Sequence, residues 1–349
     1  MKAIALGLLS LLLPSIAAAQ TVGDLDAQGD AAKAQKNFAA AQGDYTQALA
    51  ANPKDLRALI ARGTVRAKLG DNTGAIADDT AALKLDPRNA IAFTNRGNAR
   101  AAANDFPGAI ADYNRALALD PQHAAALLNR GNVENEQRNY RAALADYNAV
   151  LTPHPNDLLA LYNRAGARCV TGDYAGAEAD YSRVLAAQPG DVRALLNRAI
   201  ARMAQRDWSG ARLDLEGCIA QLPVEKQIYP RLYLWIVAMK EGREPEATRD
   251  IKAYHEQIAH APWMPSSRNV AFLAGDMTES QLTAPSLTFP DMKNHEARAN
   301  FFAAMRHEAT PDPVGARARF EKCSALGDPK LHEVILAREE LKQMGAHAE

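Results

Sequence analysis

Small and apolar side chains recur at fixed positions every 34 residues between residues 22 and 225, which gives six copies without a gap. Position 8 of each copy is glycine or alanine, and positions 17 and 24 are mostly aromatic. The invariant residues are alanine at position 20 and proline at position 32: Ala41, Ala75, Ala109, Ala143, Ala177 and Ala211, and Pro53, Pro87, Pro121, Pro155, Pro189 and Pro223. A fixed period of this length is typical of a repeat array in which each unit packs on its neighbours.

Each copy is predicted to form an antiparallel pair of helices, with helix A over positions 1–14 and helix B over positions 15–28. Small side chains at positions 8 and 20 let the two helices approach closely, and proline at position 32 cannot continue helix B. Pairs such as Gly70-Asp71, at positions 15 and 16, are predicted to close the turn and to cap helix B. In the second copy Asn72 and Asp79 replace both aromatic residues, so we expect its packing to be the weakest.

The pattern of positions 8, 20, 24 and 32 resembles the tetratricopeptide repeat family. The resemblance implies an all-α fold, a tetratricopeptide-repeat superhelix or helix-pair solenoid whose stacked pairs enclose a concave groove. It also implies that positions 2, 5, 6, 9, 12 and 13 of each helix A face this groove. Proteins of this kind bind other proteins or extended peptides.

From residue 226 to residue 349 the period is lost, but helical patterns continue. We predict a degenerate seventh helix pair over residues 229–240 and 245–260, an interruption at 262–295, a degenerate eighth pair, and a capping helix over 329–344. A capping box of Thr278 and Gln281 is expected within the interruption. The outer face of the capping helix is predicted to be charged through Arg338, Glu339, Glu340 and Lys342.

This C-terminal region resembles the family of the bacterial envelope lipoprotein NlpI. The residues that carry the resemblance are 232–235, Trp263, 272–282, 296–302 and 338–341. It implies an all-helical periplasmic adaptor that presents peptidoglycan hydrolases to a processing protease and that forms a homodimer. No cysteine follows directly on the first apolar segment, so lipid anchoring is not expected.

Two ladders of polar residues follow the repeat. Arginine at position 7 and aspartate at position 23 lie at the same height of an antiparallel pair, as in Arg62 with Asp78 and Arg96 with Asp112. We expect them to pair between helices A and B, since arginine and carboxylate form bidentate hydrogen bonds. The alternative is an exposed stripe of arginines that binds anions.

The second ladder is made of asparagines at positions 6 and 9 of helix A, on the predicted groove. One side-chain amide donates and accepts hydrogen bonds, so a row of them suits the backbone of an extended peptide. The alternative is a solvated inner face with no ligand. The predicted peptide-binding residues are Asn95, Asn98, Asn129, Asn132, Asn163 and Asn197.

Residues 1–19 are predicted to be a secretory signal peptide. Lys2 precedes a short apolar run that ends in Ala17-Ala18-Ala19, and cleavage is expected before Gln20. The mature protein is therefore expected to be periplasmic or secreted, with envelope proteins as partners.

The composition excludes several classes of protein. Lys and Arg total 40 and Asp and Glu total 41, so no overall field attracts nucleic acid. Motifs for nucleotide, zinc or serine-hydrolase chemistry are missing, so we expect no enzyme activity, no cofactor and no metal. Cys218 and Cys323 lie at core positions, while Cys169 lies on the predicted groove as the cysteine expected to be exposed.

These observations favour a non-catalytic periplasmic scaffold that binds proteins or extended peptides in its groove and links cell-envelope hydrolases to a protease. The alternative is a structural subunit of an envelope-assembly or secretion complex. The two differ in what the groove does, because a structural brace does not need to bind an extended chain.

Overall fold

The computed structural model describes residues 21–259, 267–283, 291–309 and 312–346, and the predicted signal peptide lies outside them. The described residues contain helices and no strands, which confirms the all-α helix-pair solenoid. None of these helices combines the length and the apolar composition that a bilayer crossing needs. The chain divides into two compact units, residues 1–133 (unit 1) and residues 134–349 (unit 2).

Unit 1 contains the first three helix pairs and most of α7, within which the boundary falls. Consecutive helices pack on each other along the unit. The helices are α1 (Val22–Ala34), α2 (Phe38–Ala51), α3 (Leu56–Lys68), α4 (Asn72–Leu85), α5 (Ala90–Ala102), α6 (Phe106–Leu119) and α7 (Ala124–Glu136).

Unit 2 continues the repeats and adds the irregular C-terminal helices. Its regular helices are α8 (Tyr140–Leu151), α9 (Leu158–Thr171), α10 (Tyr174–Ala187), α11 (Val192–Ala204) and α12 (Trp208–Gln221). After a 3-10 turn at Val224–Lys226 come α13 (Ile228–Lys240), α14 (Glu244–Ile258), α15 (Ser267–Ala274), α16 (Glu279–Thr283), α17 (Met292–Ala309), α18 (Pro313–Leu326) and α19 (His332–Ala346).

Helix B begins at position 17 and extends to about position 30, two residues later at each end than we predicted. In five of the six copies the start is fixed by the residue at position 16, whose side chain accepts a hydrogen bond from the backbone N–H at position 19. Asn139 of α8 makes no such bond. Asp71, for example, accepts from Gly74 at 2.8 Å. The residue before the cap is left-handed, with φ +84° at Gly70, a conformation that glycine adopts without strain. Position 15 therefore belongs to the turn.

The repeated small residues have the predicted packing role. All six alanines at position 20 are completely buried. A Cβ atom added to Gly29 would lie 2.6 Å from Tyr45, and one added to Gly97 would lie 2.7 Å from Tyr113. The tyrosine at position 24 thus occupies the space that glycine at position 8 leaves open.

The second copy departs from this arrangement. Asp79 occupies the tyrosine position, is 1% exposed, and neither of its carboxylate oxygens has a hydrogen-bond partner within the described residues. Burial, together with the neighbouring Asp78, raises the pKa of Asp79 to about 8. A buried carboxyl group without a partner weakens packing, in agreement with the expectation for this copy.

Among the C-terminal helices, α13 packs on α14 and α17 packs on α18, and α15 and α16 lie between these two pairs in the sequence. Thr278 and Gln281 form the predicted capping box, since each side chain bonds the other residue's backbone N–H. The prediction for the last helix was wrong in one respect. Glu339 and Glu340 of α19 bond to other helices of unit 2, so they do not form a solvated outer face.

Candidate functional site

We define the inner face of unit 1 as the side of α1, α3, α5 and the unit 1 part of α7 that carries positions 2, 5, 6, 9, 12 and 13. Residues 21–133 contain only the helices of the repeats and their turns. Unit 1 therefore places no additional segment of its own over this face. Ile91, at position 2, is 56% exposed on it.

The asparagines of unit 1 link consecutive A helices. Asn95 Nδ2 donates to Thr64 Oγ1 at 3.2 Å, and Asn129 Nδ2 donates to Asn98 Oδ1 at 2.8 Å. Both bonds join position 6 of one copy to position 9 of the copy before it. Tyr113, at position 24, also donates its hydroxyl hydrogen to Asn98 Oδ1, at 2.8 Å.

These bonds leave part of each amide unused. Asn98 accepts through Oδ1, so its own N–H groups make no hydrogen bond within the described residues. Asn129 donates through Nδ2, and its Oδ1 accepts no hydrogen bond there. Half-buried amides with one donor or acceptor engaged are pre-oriented, and the other end can bond to a peptide backbone. Asn132 is half-buried on the same face.

Beside the asparagines, the first two copies bring together charged groups. Asp30 Oδ1 accepts a hydrogen bond from the Tyr45 hydroxyl at 2.6 Å, and its other oxygen pairs with the exposed Arg57. The bond from Tyr45 lowers the pKa of Asp30. The inner face of unit 1 therefore carries fixed charge near α1 and neutral amides at α5 and α7.

The arginine–aspartate ladder is internal and confirms the predicted pairing. Arg62 donates two hydrogen bonds to Asp78, at 2.9 and 2.7 Å. The aspartates are buried, so the ladder is a structural frame and the alternative of an exposed anion-binding stripe is wrong. The same bidentate pair occurs in Arg96–Asp112, Arg164–Asp180 and Arg198–Asp214.

A second arginine, at position 11, was missed by the sequence analysis. Arg66 Nη1 bonds Asp78 Oδ2 at 2.8 Å and the carbonyl oxygen of Gly74 at 3.3 Å. Position 11 is arginine and position 19 is glycine in the same four copies, and this co-occurrence was the available signal. The corresponding residues are Arg100 with Gly108, Arg168 with Gly176, and Arg202 with Gly210.

In unit 2 the inner face is occupied by the protein's own last helix. α19 packs against α11, α17 and α18. His332 Nε2 lies 2.8 Å from Asn197 Oδ1, and Asn197 Nδ2 donates to the Tyr162 hydroxyl oxygen at 2.7 Å. The asparagine predicted to hold a ligand therefore bonds an internal helix. Asn163 is half-buried on α9.

The rest of α19 is anchored by buried side chains. Val334 and Ala337 are completely buried, and the Tyr233 hydroxyl donates to the buried Glu333 at 2.8 Å. Near its other end, Tyr174 donates to Glu339 Oε1 at 2.8 Å. The expectation of an exposed thiol on this face was wrong as well. Cys169 is 6% exposed, and burial raises the pKa of its thiol to about 12.

No cluster of three or more His, Cys, Asp or Glu side chains in the described part of the chain has the geometry to hold a metal ion. Outside the α19 contacts, the polar groups of the inner face are amides, hydroxyls and a few charged side chains, and they lie among apolar residues such as Ile91. Such groups bind other polar groups reversibly.

The comparisons with known proteins agree with the fold. Residues 27–90, 94–157 and 162–217 match the family model of the tetratricopeptide repeat. No curated protein matches the chain. The resemblance of the C-terminal region to NlpI stays a prediction.

Three solved structures illustrate the fold. A tetratricopeptide repeat protein from Parabacteroides merdae ATCC 43184 is 20% identical, with a TM-score of 0.51 over 74% of this chain and 100% of that one. PilF of Pseudomonas aeruginosa is 20% identical, with a TM-score of 0.52 over 64% and 100%. PilW, described as a widely conserved type IV pilus biogenesis factor, is 22% identical, with a TM-score of 0.52 over 62% and 97%. At these identities the likeness shows the fold alone.

Proposed function

Because this chain belongs to the tetratricopeptide repeat family, we propose that it is a scaffold that binds other proteins or extended peptides along the inner face of unit 1. The observation that carries the proposal is the pre-oriented amide ladder of Asn95, Asn98 and Asn129. Asn95 and Asn129 each donate to the preceding copy, and Asn98 accepts from Tyr113 and Asn129. Each of the three amides keeps a donor or an acceptor for a ligand.

Unit 1 is the better candidate because its inner face is made only of repeat helices. In unit 2 the equivalent asparagine at position 6, Asn197, bonds Tyr162 and His332. We therefore restrict the proposed peptide-binding ladder to unit 1, with Asn132 as its last member. An extended peptide matches the regular spacing of the amides, since its backbone groups also recur at a regular spacing.

We further propose that the scaffold acts in the periplasm on cell-envelope proteins. The predicted signal peptide supports export. The resemblance to NlpI supports a role in bringing peptidoglycan hydrolases to a protease, as a homodimer. The alternative of a structural subunit in an envelope-assembly complex makes a different prediction, because its partner would depend on this chain for stability and not on the amide ladder.

The experiment that tests the proposal is site-specific photo-crosslinking in a bacterial host. A photoreactive phenylalanine analogue at the exposed Ile91 of the inner face is expected to capture envelope proteins. The matched control is the same analogue at Leu119, which is 36% exposed on α6 and lies outside the inner face. Capture at position 91 alone supports the inner face, and equal capture at both positions contradicts it.

A second arm tests the ladder itself. Combining the position 91 analogue with Asn129→Ala is expected to lower the crosslink yield several-fold, because the ligand loses the Oδ1 acceptor and Asn98 loses its donor. Circular dichroism serves as the control for folding. An unchanged yield would remove the asparagines from the proposed site while leaving the scaffold role in place.

A further inference from the structure

Unit 2 contains a cavity of about 320 Å³ beneath α19. Its walls come from α9, α10, α11 and α19, together with Lys330 before α19 and the part of α7 that belongs to unit 2. Binding sites for small molecules start at about this volume. The volume corresponds to about ten water molecules at the density of the liquid, so it suits a ligand of about ten non-hydrogen atoms.

Gly166 is the residue that leaves this space open. It lies at position 9 in the middle of α9, where the other copies carry larger side chains such as Asn98 and Ile200. A Cβ atom added to Gly166 would meet only the Tyr181 hydroxyl, at 3.7 Å. Packing therefore does not require glycine here, and glycine is a poor helix former. α19 lines the other side of this space, which stays partly open to solvent.

The polar lining keeps two hydrogen-bonding groups unused. Asn135 Oδ1 is buried and has no hydrogen-bond partner within the described residues. Tyr162 accepts a bond from Asn197 Nδ2, but its own hydroxyl hydrogen has no acceptor there. A buried polar atom without a partner is costly unless a ligand or water satisfies it. The cavity thus offers one acceptor and one donor to an occupant.

Lys330 is the one charged side chain of the lining among the described residues, which contribute no carboxylate to it. Its ammonium group pairs with Glu136 at 3.0 Å, and Glu136 is 65% exposed. Exposed pairs of this kind are weak, so a ligand carboxylate can replace Glu136. The remaining walls are apolar, from Val170, Ile200 and Ile335.

The other titratable groups of the lining are uncharged at neutral pH. Burial lowers the pKa of His332 and raises the pKa of Cys169 to about 12. Burial also raises the pKa of Tyr162, which keeps its phenol protonated and able to donate. The thiol is therefore not a nucleophile, and binding here is non-covalent.

We propose that this cavity is a binding site for a small hydroxylated carboxylic acid. The carboxylate pairs with Lys330, the hydroxyl donates to Asn135 Oδ1 and accepts from Tyr162, and the apolar body packs on Val170 and Ile335. The site lies wholly in unit 2, so it stands whether or not unit 1 binds a protein.

The test is isothermal titration calorimetry of the full chain with a panel of hydroxylated monocarboxylic acids of this size, represented by 4-hydroxyphenylacetate. We expect saturable binding at one site per chain. The neutral analogue 2-(4-hydroxyphenyl)ethanol and the analogue without a hydroxyl, phenylacetate, are each expected to bind at least about ten-fold more weakly. A tripeptide that ends in tyrosine presents the same groups, and its tighter binding would overturn the proposal in favour of peptide C-termini.

Variants at one position separate the cavity from the fold. Gly166→Leu fills the cavity and is expected to abolish binding, while Gly166→Ala is expected to keep the affinity within about two-fold. Lys330→Gln is expected to weaken the acid at least about ten-fold and to leave the neutral analogue unchanged. Circular dichroism and thermal unfolding verify that each variant is folded. The proposal fails if no acid of the panel binds saturably, or if binding survives in Gly166→Leu.

Discussion

Units 1 and 2 contain the same repeat, yet their inner faces differ in what lies on them. In α5 of unit 1, position 9 is Asn98, which accepts hydrogen bonds from Tyr113 and from Asn129 of the next copy. In α9 of unit 2, position 9 is Gly166, and α19 lies over the space that it leaves. The repeat frame thus fixes where helices pack, whereas single residues on the inner face decide whether that surface holds another chain, an internal helix or a cavity.

The frame that both units share is the arginine–aspartate ladder, and its loss is expected to have the largest effect. Replacing Asp112 in unit 1 or Asp180 in unit 2 with alanine leaves two arginines without their buried partner. Each change is expected to cost about 3–5 kcal/mol of unfolding free energy, measured by chemical denaturation with circular dichroism.

The matched control for the ladder is Asp44→Ala. Asp44 is also at position 23, but position 7 of its copy is Gln28 instead of arginine, so a change within about 0.5 kcal/mol is expected. Equal losses for Asp112 and Asp180 would show that the ladder serves both units alike. A loss at Asp44 as large as theirs would contradict the pairing argument.

The next prediction tests whether α19 stabilises unit 2 alone. Glu333→Ala leaves the Tyr233 hydroxyl buried without an acceptor and removes the carboxylate 3.7 Å from Arg298. We expect a loss of about 2–4 kcal/mol. Hydrogen exchange measured by mass spectrometry should show faster exchange in α19 and α11.

The same measurement on α3 and α5 is the internal control, since both helices belong to unit 1 and Glu333 belongs to unit 2. Glu339→Gln is a milder comparison, because an amide oxygen still accepts the hydrogen bond from Tyr174. Uniformly faster exchange across both units would mean that α19 supports the whole chain and that the comparison between the units is wrong.

The weakest copy of unit 1 is expected to gain stability from a change toward the repeat pattern. Asp79→Tyr places the ring that four other copies carry beside a small residue at position 8, here Gly63. We expect a gain of about 1–3 kcal/mol, because an unpaired buried carboxyl group is replaced by a packed aromatic one. Thermal and chemical unfolding measure it, and a loss of stability would show that the copy has relaxed around aspartate.

The pH dependence gives Asp79 a second signature. Its pKa is about 8 in the folded protein against an ordinary value of 3.8, so between these values the folded state holds a proton that the unfolded state has released. The contribution of Asp79 to stability therefore falls as the pH rises from about 4 to about 8. The stability gain of Asp79→Tyr over the wild type should be larger at pH 8 than at pH 5, and a constant gain would contradict the raised pKa.

Much of the fold could be predicted because it depends on local spacing. The small residues at positions 8 and 20 and the proline at position 32 affect only their own helix or the next one. Their regular spacing in the sequence therefore predicts the helix pairs. The capping role of Asp71 was predicted, but the start of helix B was misplaced by two residues, because the residue at which the helix begins depends on the backbone angles of the turn. The pattern of small residues does not report those angles.

The candidate site was harder to predict, because it depends on contacts between distant parts of the chain. The asparagines were predicted from their positions in the 34-residue repeat. No residue near Asn197 in the sequence indicates that His332 will bond it. Glu339 and Glu340 have the sequence of a solvated helix face, and only the packing of α19 brings them to Tyr174 and Lys240. The cavity follows from Gly166 and α19 together, so neither segment shows it alone.

Replacement of position 9 by alanine has the smallest expected effect. It should change the unfolding free energy in opposite directions at Asn98 of unit 1 and Gly166 of unit 2. Asn98→Ala removes the acceptor for Tyr113 and Asn129 and is expected to cost about 1 kcal/mol, after the better helix propensity of alanine is counted. Gly166→Ala adds a methyl group where only the Tyr181 hydroxyl is near, and it is expected to stabilise the protein by about 0.5–1 kcal/mol. Both are measured by chemical denaturation under identical conditions. Opposite signs mean that α5 uses this position for bonds between the helices of unit 1 and that α9 of unit 2 keeps it empty at the expense of stability. A loss at both positions would mean that Gly166 is required by the fold.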